Sequence, residues 1–130
     1  MEIKKILVCD DDEGILDMLA LILEETGHEI LLENNSMNVL SIIETQSPDL
    51  ILLDLWMPVI SGDQLLKSIR ANSDMHDLPV IVISASRDGR KIAQQAGASA
   101  YIAKPFDYQE LIDSVDACLS GDITHMSNTI

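Results

Sequence analysis

Leu50-Ile51-Leu52-Leu53-Asp54 is the most informative segment of this chain for its fold class. Its four aliphatic residues follow one another with no polar residue between them, and a carboxylate ends the run. A second run of the same kind is Val80-Ile81-Val82-Ile83. A strand with one face in water alternates apolar and polar residues, whereas a strand covered on both faces does not. Both runs therefore predict strands inside a parallel sheet that has helices on its two faces.

Outward from these strands, short apolar runs alternate with longer segments of helical periodicity. The predicted strands are residues 6–9, 28–32, 50–53, 80–83 and 100–103. The predicted helices are residues 13–26 with Gly27 as the C-terminal cap, a helix through Val39–Ile43 with Ser36 as the N-cap, residues 62–71, residues 87–96, and a last helix from about Asp107 through Leu119. Five strand–helix units with right-handed crossovers predict an α/β fold, a doubly wound (βα)5 three-layer sandwich.

The size of the chain fits one domain with one core. The sequence has 130 residues, of which 47% are hydrophobic, too many for a disordered chain. We predict that residues 1–120 form the domain and that the polar, aperiodic residues 121–130 form a disordered tail. Cys9 and Cys118 both stand in apolar stretches and are predicted to be core residues without a disulfide.

The charge of the chain excludes several classes of partner. There are 22 acidic residues against 8 basic ones, which gives a net charge of -14. A basic face is the usual mark of a nucleic-acid binder, and anionic membrane surfaces repel an acidic protein. No apolar run reaches membrane-spanning length, and residues 1–5 lead directly into the first strand without a signal sequence. We therefore expect a cytoplasmic protein that binds neither nucleic acid nor membrane.

Polar side chains follow four of the five predicted strands at their carboxyl ends. They are Asp10–Glu13 after the first strand, Asp54 after the third, Ser84 after the fourth and Lys104 after the fifth. Ligands of open α/β sheets bind at this edge. Clustered carboxylates favour a hard cation, predicted to be Mg²⁺, and a carboxylate beside it can act as a nucleophile toward a phosphoryl group. Ser84 and Lys104 would then hold the phosphoryl oxygens.

These stretches resemble the receiver domain of two-component response regulators. The matching residues are Lys5–Asp12, Pro48–Pro58 with Ser61-Gly62, Pro79–Ala85 and Ala98–Phe106, in order and at the family's spacing. The resemblance covers residues of about 4–120 and implies a flavodoxin-like sheet of five parallel strands in the order 2-1-3-4-5.

The resemblance also implies roles for the site residues. Asp54 would be the phosphoacceptor, and Asp10, Asp11, Asp54 and the backbone carbonyl of Trp56 would bind Mg²⁺, or Mn²⁺ as a substitute. Lys104 and Ser84 would act as catalytic residues toward the phosphoryl group.

Further residues are implied to control the response. Ser84 and Tyr101 would form the switch, the Lys104–Pro105 peptide bond would be cis, and Trp56 and Ser86 would tune the lifetime of the phosphate. In the family, this switch repacks the face made by helix 4, strand 5 and helix 5, where an unknown downstream protein would bind.

Within that family, the chain looks like a stand-alone, chemotaxis-type receiver without a DNA-binding output domain. It would be a signalling switch and not an enzyme, apart from catalysing its own phosphorylation and dephosphorylation. The phosphoryl donor would be a sensor histidine kinase or a histidine phosphotransfer protein, and the chain would be a monomer or a weak homodimer.

Two other functions fit the same fold. A haloacid-dehalogenase-like hydrolase also uses a strand-end Asp and Mg²⁺, but it needs a second Asp where this chain has Trp56. A nucleotide or flavin binder needs a glycine-rich phosphate loop after the first strand, where this chain has Asp10–Glu13.

Overall fold

A computed structural model of the chain describes residues 2–121, which form a five-stranded sheet between two layers of helices. The strands are β1 Lys5–Cys9, β2 Glu29–Glu33, β3 Leu50–Asp54, β4 Val80–Ser84 and β5 Ala100–Ala103. The helices are α1 Glu13–Glu24, α2 Val39–Gln46, α3 Gly62–Ala71, α4 Gly89–Ala96 and α5 Tyr108–Ser120, and a 3₁₀ turn at Ser36–Asn38 precedes α2. The strands are parallel in the order β2-β1-β3-β4-β5, which confirms the predicted topology.

The strands with uninterrupted apolar runs are covered by helices on both faces, as the sequence predicts. Leu50 and Leu52 face α1 and α5, whereas Ile51 and Leu53 face α2, α3 and α4. Successive side chains of a strand point to opposite faces, so a sheet covered on both faces needs apolar residues at every position. Cys9 and Cys118 are buried in the two different layers, as expected of core residues.

Helix boundaries are where the sequence predictions were least accurate. The first helix ends at Glu24, and Gly27 lies beyond it in a turn with φ of 79°. Ser36 is not the N-cap that was predicted. The side chain of Asn35 accepts the amide of Met37 instead, while the Ser36 hydroxyl bonds to a distant loop. The fourth helix begins at Gly89, two residues late, because Ser86 accepts hydrogen bonds from the amides of Asp88 and Gly89.

The other predicted ends need little change. The third helix has its predicted bounds. The carboxylate of Asp107 caps α5 by accepting the amide of Glu110. The predicted tail falls almost entirely on residues 122–130, which lie outside the described residues. No helix within residues 2–121 is long and apolar enough to cross a membrane.

Arg70, near the end of α3, connects this helix to the two loops that lead into β4 and β5. Its guanidinium donates to the carbonyls of Gly97 (2.8 Å), Leu78 (2.6 Å) and His76 (3.0 Å) and to the Ser99 hydroxyl (3.4 Å). Burial lowers the pKa of Arg70, but an arginine still carries its proton in any physiological buffer. One half-buried guanidinium therefore satisfies three carbonyls from two loops.

We predict that Arg70→Ala lowers the free energy of unfolding by about 2 kcal/mol, because three carbonyls, that of Leu78 partly buried, lose a charged donor. Urea unfolding followed by circular dichroism measures this. Lys67→Ala, an exposed cation on the same helix, is the matched control and should change stability by less than about 0.5 kcal/mol. Equal losses in the two variants would contradict the role given to Arg70.

Candidate functional site

The register of the sheet brings the strand ends to one edge. Asp54 is the last residue of β3 and pairs with Ile83, and Ser84 is the last residue of β4 and pairs with Ala103. Asp10 directly follows β1, and Lys104 directly follows β5. Since parallel strands end at the same edge, residues far apart in the chain meet there.

Three carboxylates form the centre of this edge. One oxygen from each of Asp10, Asp11 and Asp54 lies within 4.8 Å of the other two. Asp10 and Asp54 are buried, with 2% and 7% exposure, and Asp11 is exposed. A hard divalent cation takes oxygen ligands and keeps several waters, and this partly open cluster fits such an ion.

The next two acids, Asp12 and Glu13, form hydrogen bonds at the start of α1. The Asp12 carboxylate caps α1 by accepting the amides of Gly14 (2.8 Å) and Ile15 (3.2 Å). Glu13 accepts a hydrogen bond from the Asn34 side chain at 3.0 Å. Of the four consecutive acids, the structure therefore places Asp10 and Asp11 in the cluster and the other two at the start of the helix.

Lys104 brings a positive charge to the cluster. Its Nζ lies 3.1 Å from Asp10 Oδ2 and 3.3 Å from Asp54 Oδ1, and the Lys104–Pro105 peptide bond is cis. Burial lowers the pKa of Lys104, but the two carboxylates outweigh it and hold the pKa above its ordinary value. The amine is therefore a fixed cation at neutral pH.

Asp54 has an electrostatic environment unlike that of a surface carboxylate. Burial raises its pKa, the charge of Asp10 raises it further, and Lys104 offsets only part of this, so that the pKa is about 6. The Asp54 carboxylate is destabilised in its ionised form, which favours binding of any added positive charge.

The end of β4 is connected to a buried aromatic residue. The Ser84 hydroxyl accepts the amide of Ser86 at 3.0 Å. The Tyr101 hydroxyl donates to the backbone carbonyl of Ser84 at 3.1 Å and lies 3.4 Å from that of Ser86. The Tyr101 ring is buried, and the Arg90 guanidinium of α4 lies 5.1 Å from its centroid. Tyr101 therefore joins the site edge to α4.

Two glycines that sequence reasoning did not single out make room for these groups. A Cβ on Gly62 would lie 2.2 Å from the Asp54 carbonyl oxygen, and one on Gly89 would lie 2.3 Å from the Tyr101 hydroxyl. In the sequence, Gly62 belongs to the Ser61-Gly62 motif, and Gly89 lies inside the predicted helix of residues 87–96. For Gly89 the available signal was a glycine inside the predicted helix 87–96, where it weakens a helix; Gly62, at a predicted helix start, carried no such signal.

We predict that the ionisation of Asp54 makes the metal-free protein less stable as pH rises. The folded-state pKa of about 6 exceeds the ordinary 3.8, so the folded chain holds this proton more tightly than the unfolded chain does. In EDTA, the stability gained by Asp54→Asn should therefore grow from pH of about 4 to 7 and then level off, reaching roughly 1–2 kcal/mol after allowance for solvent at the site. Urea unfolding at each pH measures it, and a gain independent of pH would contradict the assignment.

We also predict that Gly89→Ala displaces the Tyr101 ring and lowers stability by about 1–3 kcal/mol, because the added methyl group overlaps the hydroxyl. The control is the same change in a Tyr101→Ala background, where the ring is gone and alanine is the better helix former. Urea unfolding of the four proteins, with fluorotyrosine NMR for ring exposure, measures the coupling. An equal cost in both backgrounds would rule out this contact as the cause.

Comparison with known proteins agrees with this geometry. Residues 6–116 match the family described as the response regulator receiver domain. The phosphate regulon transcriptional regulatory protein PhoB of Pseudomonas aeruginosa is 36% identical over 118 residues, which cover 89% of this chain and 52% of that protein. The chain spans about half the length of the curated relatives it matches.

Two solved receiver structures are similar to this chain over nearly their whole length. The receiver domain of Francisella response regulator 1452 is 32% identical with a TM-score of 0.82, covering 91% of this chain and 98% of that one. A CheY-like receiver domain protein from Methanospirillum hungatei JF-1 is 29% identical with a TM-score of 0.83, covering 93% and 97%. The chain therefore belongs to the receiver-domain family of two-component response regulators, signalling switches that are phosphorylated by histidine kinases or phosphotransfer proteins and bind Mg²⁺ at an acidic pocket.

Proposed function

We propose that this chain accepts a phosphoryl group on Asp54 from a phosphohistidine of a sensor histidine kinase or a histidine phosphotransfer protein. A carboxylate oxygen of Asp54 would attack phosphorus, so that an O–P bond forms while the P–N bond breaks and the imidazole leaves with a proton from solvent. The single observation that carries the proposal is the buried Asp54 carboxylate, 3.3 Å from the Lys104 ammonium and clustered with two further acids.

Asp10, Asp11 and Asp54 would hold Mg²⁺, with the backbone carbonyl of Trp56 as a further ligand and Mn²⁺ as a substitute. When bound, the ion would offset the negative charge that Asp10 and Asp11 place beside Asp54 and that otherwise repels an incoming phosphoryl group. The fit of the residues to this ion rests on their all-oxygen donor set and on their close approach, within 4.8 Å.

Lys104 and Ser84 are proposed to hold the transferred oxygens. The Lys104 ammonium already lies beside the acceptor carboxylate, so it can follow the charge from the carboxylate to the phosphoryl group. The Ser84 hydroxyl is buried at the end of the neighbouring strand and holds the amide of Ser86, a bond that it would exchange for one to a phosphoryl oxygen.

The output is proposed to be a protein-binding face made of α4, β5 and α5. A shift of Ser84 would move the carbonyl that accepts the Tyr101 hydroxyl, and Tyr101 contacts Arg90 on α4. This chain of contacts supports Ser84 and Tyr101 as the switch, a two-state element that a local charge change biases. We propose that Trp56 and Ser86 control the access of water and hence the lifetime of the phosphate. Trp56, two residues past the acceptor, is 53% exposed.

We also propose that the protein is cytoplasmic and that residues 1–120 form the functional unit. The hydrolase alternative is not favoured, since Trp56 stands where its second Asp would be needed and the family match is to receiver domains.

The experiment follows the fluorescence of Trp56, the only tryptophan, while Mg²⁺ and then beryllofluoride or acetyl phosphate are added. We expect a Mg²⁺-dependent change, and intact mass spectrometry of the acetyl phosphate samples should show one added phosphoryl group. Asp54→Asn should abolish the mass gain, whereas Asp74→Asn, an exposed carboxylate on a turn, should leave it unchanged. A mass gain that survives in Asp54→Asn, or none in the unaltered chain, would overturn the proposal.

A further inference from the structure

The loop between β3 and α3 contains an unusual turn. The Ile60 amide donates to the Pro58 carbonyl at 2.9 Å, and the residue between them, Val59, has a φ of 73°. This is a γ-turn of the positive-φ kind, which is rare, and a β-branched residue is among the least suited to it. The Val59 side chain is 78% exposed, so its own burial does little to hold the turn.

Ser36, in the 3₁₀ turn before α2, contacts both ends of this γ-turn. Its hydroxyl donates to the Pro58 carbonyl at 2.7 Å and accepts the Ile60 amide at 3.2 Å. The Ser36 residue is 3% exposed, and it belongs to the 3₁₀ turn before α2, more than twenty residues earlier in the chain. One buried hydroxyl therefore bridges the two groups that also bond to each other across Val59.

The position of the turn connects it to the site. Trp56 lies between Asp54 and Pro58, so the path of the chain past Trp56 is fixed at one end by β3 and at the other by the Ser36 bridge. Beyond the turn, the Gly62 amide donates to the Leu55 carbonyl at 2.7 Å and closes the loop. The segment that carries the proposed carbonyl ligand thus depends on contacts made outside the acidic cluster.

We infer that Ser36 is a positioning residue of this receiver: through Pro58 and Ile60 it holds the β3–α3 loop in the conformation that binds the metal ion and accepts the phosphoryl group. The inference rests on the proposed function. Ser36 itself contacts neither the carboxylates nor a phosphoryl group, and it acts by keeping one loop conformation populated. When the competent conformation is only a fraction of the population, the apparent affinity falls by that fraction.

The test compares the unaltered chain, Ser36→Ala and Ser114→Ala. Ser114 is also a buried serine but lies on α5, in the other helix layer, so it controls for the loss of a buried hydroxyl. Calorimetric titration with Mg²⁺ gives the dissociation constant, intact mass gives the rate of phosphorylation by acetyl phosphate at saturating Mg²⁺, and hydrogen exchange reports on the Ile60 amide.

We expect Ser36→Ala to raise the Mg²⁺ dissociation constant about three- to tenfold, to slow phosphorylation, and to speed exchange at Ile60. Ser114→Ala should leave all three unchanged even if it unfolds more easily. As a second variant, Val59→Gly relieves the unfavourable φ, so Ser36→Ala should cost less in that background.

The outcomes separate this inference from the function on which it rests. If the unaltered chain binds Mg²⁺ and is phosphorylated at Asp54 but Ser36→Ala matches it, Ser36 is not a positioning residue and the proposed function stands. Equal losses in Ser36→Ala and Ser114→Ala would likewise overturn the role. If the unaltered chain neither binds Mg²⁺ nor gains a phosphoryl group, the proposed function fails and the inference fails with it.

Discussion

Two buried carboxylates that share one lysine are the constraint on which the site depends. Asp10 and Asp54 both approach the Lys104 ammonium, and Asp11 adds a third negative charge at the opening of the pocket. Three acids and one base leave an excess of negative charge that the protein does not neutralise itself. A pocket with this imbalance is prepared for a cation and, once a cation is present, for a group that carries its own negative oxygens.

The sheet makes this arrangement rigid. Asp10, Asp54, Ser84 and Lys104 each stand at or one position past the end of a buried parallel strand. The two helix layers pack against apolar side chains on both faces of the sheet. The packed core therefore fixes the backbone positions of the strand ends that carry these charges. The loops are the adjustable part. Arg70 holds the opposite edge of the sheet, while the Ser36 bridge and the Tyr101 contacts act near the site edge itself.

The sequence predicted those parts of the structure that depend on local pattern. The strands Leu50–Asp54 and Val80–Ser84 follow from uninterrupted apolar runs, and the gathering of Asp10, Asp54, Ser84 and Lys104 follows from their places at strand ends. Ser36 was misread because a serine before a helix usually caps it, whereas here its hydroxyl bonds to a loop 22 and 24 residues away. Gly89 and Arg70 escaped notice for the same reason, since their partners Tyr101 and Gly97 are remote in sequence.

β2 is an edge strand of the sheet, and its charged residues affect whether two copies of the chain can pair through it. Glu29 and Glu33 stand at its two ends, and among residues 2–121 only Glu29 is within 4 Å of a cation, the Lys5 ammonium at 3.6 Å. If the β2 strands of two molecules were to extend one sheet into the next, their terminal glutamates would be brought side by side. Like charges at a free strand margin oppose this kind of pairing. The charges of β2 thus disfavour aggregation through this edge of the sheet.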